Sequence, residues 1–185
     1  MRIIALVGSS RRGNTYAMVE SACHAINSEC DVELIHLKDI KIRFCDGCLS
    51  CDKTGRCHID DSMKDIIKSV VAADGLIIGT PARWSLLSGE LKVLIDRLNP
   101  LAVTQKLKNK KAIVFAVGQS TPEQDNSVKL AGNSVVNFCN NAGIKVVSRV
   151  FAFDCVGSND LIEKAPEVLK RCKRAAKKLL KSIHR

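Results

Sequence analysis

The sequence predicts an α/β three-layer sandwich: a doubly wound, five-stranded parallel sheet of strand order 2-1-3-4-5, with helices on both faces. Two observations carry that expectation. Five short runs rich in Val, Ile and other apolar residues recur along 185 residues, as strands buried on both faces do. Stretches with helical apolar spacing follow at least four of them, and right-handed crossovers between parallel strands then make an open sheet.

The elements follow in order. RIIALV (2–7) is the first strand, and the stretch from Gly13 to about Ser28 places Met18, Ala22, Ala25 and Ile26 on one helical face. DVELIHL (31–37) alternates as a strand, with Val32, Leu34 and His36 on one side. A cysteine-rich loop runs to Cys57, after which Asp60 or Asp61 is placed to cap a helix carrying Met63, Ile66, Ile67, Val70 and Val71. GLIIGTP (75–81) stops at a proline. A helix from about Gly89 to Leu98 ends before Asn99-Pro100. KAIVFAV (111–117) is the fourth strand, a helix covers roughly Asn126 to Asn141, and IKVVSRVFAF is the fifth strand. No linker, repeat or low-complexity stretch interrupts the alternation, so one domain over residues 1–185 is expected.

In such sheets a ligand binds outside the carboxyl ends of the strands, at the switch point beside strand 1. Three loops are therefore expected to face the crevice: Gly8–Thr15, Thr80–Ser88 and Gly118–Asp125.

Hydrophobic residues make up 46% of the chain, enough for one sizeable core, yet no apolar run approaches the roughly 18 residues of a membrane span. The apolar run Ile3–Val7 is shorter than the roughly 7–15 residues of a signal h-region, so a cytoplasmic protein without membrane attachment is expected. The net charge of +10 is local: nine Lys/Arg and one Glu lie between Lys164 and Arg185, leaving the rest near neutral. There Val168, Cys172, Ala175, Ala176, Leu179 and Ile183 recur at helical spacing among the cations. That pattern reads as a docked helix with a solvated basic face; the sharper alternative is a docking surface for an acidic protein such as a ferredoxin. With aromatics at 4% and no recognition motif, nucleic-acid binding is not expected.

GSSRRGNT (8–15) keeps the glycine spacing of a nucleotide P-loop, but Asn14 stands where the lysine belongs. Nothing then bridges β- and γ-phosphates, and the dinucleotide pattern G-x-G-x-x-G is absent as well. A helix start still offers free amides and about half a positive charge. Ser9, Ser10, Asn14 and Thr15 add donors, while Arg11 and Arg12 add positive charge. This suits a terminal monophosphate, which in a sheet of this order points to FMN; a capped helix start rich in turn residues is the alternative.

GSSRRGNT resembles the G-S-x-R-x-x-N-T loop of flavodoxin-like NAD(P)H-dependent FMN reductases. PARWSLLSGELKVLIDR (81–97) is similar to their second flavin loop and following helix, P-x-Y-W/F-x6-L-K-x3-D-R. CDGCLSCDKTGRCHIDDSM (45–63) resembles the iron–sulfur flavoprotein branch of that family, which pairs FMN with a [4Fe-4S] cluster. The resemblance covers roughly residues 1–120 and departs at Arg83, where the family has a tyrosine. Trp84 is the ring available in its place; its alternative role is a core or interface anchor. The resemblance implies that Ser9, Ser10, Arg11, Gly13, Asn14 and Thr15 hold the phosphate, and that Pro81, Ala82, Arg83, Trp84, Gly118 and Gln119 line the isoalloxazine.

Nine cysteines without a secretory signal fit a reducing compartment. Cys45, Cys48, Cys51 and Cys57 are spaced C-x2-C-x2-C-x5-C; Cys23, Cys30, Cys139, Cys155 and Cys172 are scattered, as small buried apolar residues are. Short x2 steps let sulfurs converge, and Gly47 and Gly55 permit the tight backbone an iron–sulfur cubane requires. Zinc and a redox disulfide are the rivals, and His58 reads as an ordinary loop histidine. The expected function is an FMN-dependent electron-transfer oxidoreductase with one [4Fe-4S] cluster and no catalytic side chain. NAD(P)H, another small molecule or a ferredoxin would be the donor, and the resemblance implies a homodimer or homotetramer. One alternative is an NAD(P)H-dependent FMN or quinone reductase whose cysteines hold zinc or nothing. The other is a non-enzymatic, redox-sensing binding protein.

Overall fold

The computed structural model describes residues 1–184. Its strands are β1 (Arg2–Val7), β2 (Asp31–His36), β3 (Gly75–Pro81), β4 (Lys111–Val117) and β5 (Lys145–Ala152). All neighbours pair parallel, in the order β2-β1-β3-β4-β5. The order and direction are those read from the sequence. The helices are α1 (Asn14–His24), α2 (Ser50–Thr54), α3 (Met63–Ala72), α4 (Gly89–Arg97), α5 (Asn99–Val103), α6 (Ser127–Asn141), α7 (Asp160–Glu163) and α8 (Pro166–Ile183).

Strand side chains point alternately to the two faces. Ile3, Ala5, Val7, Ile77, Ile113 and Phe115 pack against α1 and α8, whereas Ile4, Leu6, Leu76, Ile78 and Val114 pack against α3, α4 and α6. Both faces of the central strands are dry, which is why those runs read as continuously apolar.

Several boundaries differ from expectation. Helix α1 ends at His24, not near Ser28; residues 25–29 form turns in which Asn27 and Ser28, both poor helix formers, stay exposed. The cysteine stretch holds one helical turn, α2, entered from Leu49 at φ 58 and closed by Gly55 at φ 66. Asn99-Pro100 does break the chain, with Pro100 in the first turn of the new helix α5. The basic segment begins at Pro166, after the short α7, and buries Cys172, Ala175, Ala176, Leu179 and Leu180. Lys170, Arg171, Lys173, Arg174, Lys177, Lys178 and Lys181 are exposed. Among the described residues no helix is long and apolar enough to cross a membrane.

Candidate functional site

A cavity of about 640 Å³ opens above the carboxyl ends of β1, β3, β4 and β5. All three expected loops reach it. The first leaves β1 tightly: the Gly8 amide donates to the Gly79 carbonyl at 2.8 Å, and a Cβ on Gly8 would lie 2.7 Å from that of Leu91. Ser9, Arg11, Gly13, Asn14 and Thr15 line the cavity, and Ser10 does not.

The side chains of this loop are mostly engaged with the protein itself. Ser9 Oγ donates to the Arg11 carbonyl at 2.7 Å. His36 Nε2 sits 2.8 Å from the Ser9 carbonyl, so that nitrogen carries the proton; it also stands 3.2 Å from Ser9 Oγ. Asn14 Nδ2 donates to the Gly157 carbonyl at 2.7 Å, while its Oδ1 accepts from the Leu161 amide at 3.1 Å. The side-chain amide of Asn14 thus ties the loop to the segment after β5 through one N–H and its oxygen, with the second N–H unpartnered among the described residues. Arg12 turns away, over the Tyr16 ring at 5.5 Å and toward Asp39. Arg11, Asn14 and Thr15 line the cavity, and the backbone amides of Asn14 and Thr15 have no acceptor among the described residues.

The second loop is held by Thr80 Oγ1, which accepts from the Ser88 amide at 3.0 Å, and by Ser88 Oγ, which caps α4 by accepting from Leu91 at 3.2 Å. Arg83 and Leu86 exchange both backbone hydrogen bonds at 2.9 Å around Trp84 (φ 49) and Ser85 (φ 65), the geometry of a type I′ turn. Left-handed backbone is costly for a tryptophan. The turn carries Trp84 out to 98% exposure at the cavity rim, so it is no core anchor. In the third loop, a Cβ on Gly118 would lie 2.8 Å from Val128 and 3.0 Å from Ala82; only glycine lets the backbone pass between them. Gln119 lines the cavity beside it.

A fourth segment was missed. Cys155 and Val156, after β5, close the remaining side. Their signal was topological, since the carboxyl end of β5 faces the same crevice as its neighbours. Burial first, then Asp160 and Asp154, pushes the Cys155 thiol up to about 11, so it stays protonated near neutrality. Burial likewise raises Cys23, Cys139 and Cys172 to about 12, in keeping with small apolar roles.

Cys45, Cys48, Cys51 and Cys57 all line a second cavity, of about 490 Å³, walled by the end of α4, by α5 and by the end of α6. Gly47 and Gly55 take φ 70 and 66, left-handed turns that keep the loop compact. Asn99 Nδ2 donates to Cys51 Sγ at 3.2 Å and to Asp52 at 3.0 Å. His58 pairs with Asp46 at 2.8 Å in an exposed contact, and the donor atoms of Asp46, Cys48 and His58 lie within 4.8 Å of one another. Asp61, expected as a helix cap, does receive the Met63 amide at 3.0 Å, but its main partner is the buried Arg97, held at 2.9 Å through both oxygens. Those Arg97 hydrogen bonds lower the Asp61 carboxyl to about 2.

The two cavities stand at opposite ends of α4, whose nine residues span about 13 Å. Both donor sets fit their groups. The first cavity falls within the roughly 300–1,000 Å³ of small-molecule sites and offers amides and two cations, Arg11 and Arg83, to an anion. The second gathers four thiols with an amide donor aimed at one sulfur, suited to a soft, multi-iron centre. Helix α8 packs on the α1 face, whereas the cysteine cavity lies on the α4–α6 face. An acidic protein docked on the basic helix would therefore sit across the sheet from the cysteines.

A family model described as NADPH-dependent FMN reductase matches residues 1–156. An iron–sulfur flavoprotein of Methanocaldococcus jannaschii is 39% identical over 122 residues, which cover 65% of this chain and 63% of that protein. One from Archaeoglobus fulgidus is 31% identical over 128 residues, 67% of this chain and 58% of that protein. The matches thus span less than two thirds of either relative's length. Among solved structures, an NAD(P)H:quinone oxidoreductase from Methanothermobacter marburgensis superposes with a TM-score of 0.74 at 18% identity, over 97% of this chain and 96% of that one. An archaeal flavodoxin gives 0.65 at 17% identity, covering all of both chains. These two likenesses establish a flavodoxin-like fold.

Proposed function

The chain belongs to the NADPH-dependent FMN reductase family, alongside the iron–sulfur flavoproteins, and from that premise we propose that it is an FMN-dependent oxidoreductase passing electrons between a [4Fe-4S] cluster and the flavin. The observation that carries this reading is the pairing of cavities at the two ends of α4, one suited to a phosphate and a flat ring, the other lined by four thiols. Bound FMN would supply two-electron chemistry with single-electron release, and the cluster would supply single electrons.

The chain's own residues do the holding and the excluding. Arg11 and the amides of Asn14 and Thr15 take the phosphate; Ser9, locked by His36, shapes the loop and leaves the anion to the backbone. Pro81, Ala82 and Arg83 with Gly118 and Gln119 flank the ring, and Trp84 stands free to cover its edge. Cys45, Cys48, Cys51 and Cys57 hold the cluster. Of the titratable groups lining the cavity, Cys155 remains protonated and Asp125 is engaged by the Ser127 amide at 2.7 Å, which holds its carboxyl below the usual range, so no catalytic side chain is assigned.

NAD(P)H or a reduced ferredoxin would be the donor. Trp84 and Leu86 at one cavity, and Phe44 and Leu49 beside the other, are exposed apolar groups that fit a homo-oligomer in which one subunit's cysteine loop meets another's flavin cavity. The convergence of Asp46, Cys48 and His58 within 4.8 Å favours a second reading, an FMN or quinone reductase whose loop binds a single zinc ion. Protein purified without oxygen decides between them. Iron, sulfide and zinc are counted per FMN, and visible bleaching is followed on reduction. About four irons per chain and two bleaching components support the first reading; one zinc and flavin bleaching alone support the second. Protein that neither carries nor takes up FMN sinks both.

A further inference from the structure

Arg97 is among the largest fully buried side chains, 1% exposed; its two terminal nitrogens are met by acceptors, while Nε has no hydrogen-bond partner among the described residues. Each of its acceptors belongs to a stem of the cysteine loop. Nη1 donates to the Arg43 carbonyl at 2.7 Å and to Asp61 at 2.9 Å; Nη2 donates to Asp61 at 2.9 Å and, more weakly, to the Ile59 carbonyl at 3.5 Å. Asp61 closes the ring by accepting from the Arg43 amide at 2.8 Å and the Met63 amide at 3.0 Å. Arg43 lies two residues before Cys45, and Ile59 two after Cys57. The Cys57 thiol also stands beside the same guanidinium.

These contacts close the loop at its base without metal. A flexible loop of this length loses substantial freedom when its ends are brought together, and here a bidentate ion pair holds them. The anchor is itself positioned: Arg97 is the last residue of α4, whose first turn is capped by Ser88 under the second loop of the large cavity. One rigid helix therefore fixes the cysteine loop relative to that cavity.

We propose that Arg97 is a positioning residue that preorganises the cysteine loop, clamping both of its stems to α4 so that the four thiols share one cavity before iron arrives, and placing a fixed positive charge beside Cys57. The proposal rests on reading the four cysteines as a cluster site. Its first test needs no cluster. The iron-free full-length chain is exposed to trypsin, and cleavage after Lys53 and Arg56, both exposed in the loop, is timed against cleavage in α8 of the same molecules. Arg97→Met is expected to speed loop cleavage at least tenfold relative to α8. Arg97→Lys, which keeps the charge and loses the bidentate grip, is expected to fall between Met and wild type. It also serves if the methionine variant does not fold.

After reconstitution with iron and sulfide, Arg97→Met is expected to bind less iron and to shift the potential of the bound cluster to more negative values. Arg97→Lys is expected to hold the wild-type potential, a separation that packing alone does not produce. Equal loop cleavage in all three proteins, or acceleration matched in α8, overturns the proposal. If the wild type binds no iron yet the cleavage contrast appears, the clamp stands and the cluster reading falls.

Discussion

Replacing Asn14 by alanine separates two accounts of the phosphate loop. If Asn14 donates to bound phosphate, its loss weakens FMN binding and leaves the empty protein untouched. The structure instead commits both ends of the amide to the segment after β5. Truncation strands the Leu161 amide, on a fully buried residue, at a cost of about 1–3 kcal/mol. It also removes the bond to the Gly157 carbonyl, which water reaches in part, for about 0.5–1.5 kcal/mol more. The expected loss is therefore about 2–4 kcal/mol, or a melting temperature lower by about 5–15 °C in a chain of this size. The assay is urea unfolding of FMN-free protein, where the midpoint should fall at unchanged slope. FMN affinity, followed by quenching of flavin fluorescence, should drop only about three- to tenfold, through loosening of the loop. Stability within about 0.5 kcal/mol of wild type, joined to a hundredfold loss of affinity, would refute this reasoning and return the phosphate to the Asn14 side chain.

Two further outcomes follow from the geometry. The Asp61 carboxyl is lowered from 3.8 to about 2 with its side chain only 9% exposed, a shift worth roughly 2–2.5 kcal/mol. Because the folded value is the depressed one, that stability is present above pH 4 and lost as pH falls through 2. Acid unfolding of iron-free protein should show it, and Asp61→Asn should flatten the slope in this window while lowering stability at neutral pH. Gly118→Ala should push Val128 and the Ala82 loop apart, costing about 1–3 kcal/mol and weakening FMN binding about tenfold; unchanged FMN titration would show that the second and third loops do not meet at the ring.

Much of this molecule was legible in its residues taken in order. Continuous apolar runs such as RIIALV and KAIVFAV announce strands buried on both faces, and the switch-point rule turns their order into three loops around one crevice. The cysteine spacing is likewise local, since x2 steps and glycines act within one short segment. What escaped were contacts between residues far apart in sequence. Asn14 reads as a phosphate donor, yet its partners lie at 157 and 161, brought to it by the packing of α7 and α8 on α1. Asp61 reads as a helix cap and Arg97 as part of a helical motif; neither announces the other across 36 residues. Trp84 gives no sign that a tight turn will hold it in solvent. Local pattern reports hydrophobic period, turn chemistry and ligand spacing, because each depends on near neighbours. Which polar groups are already satisfied depends on who arrives from elsewhere in the chain, and only the closed fold decides that.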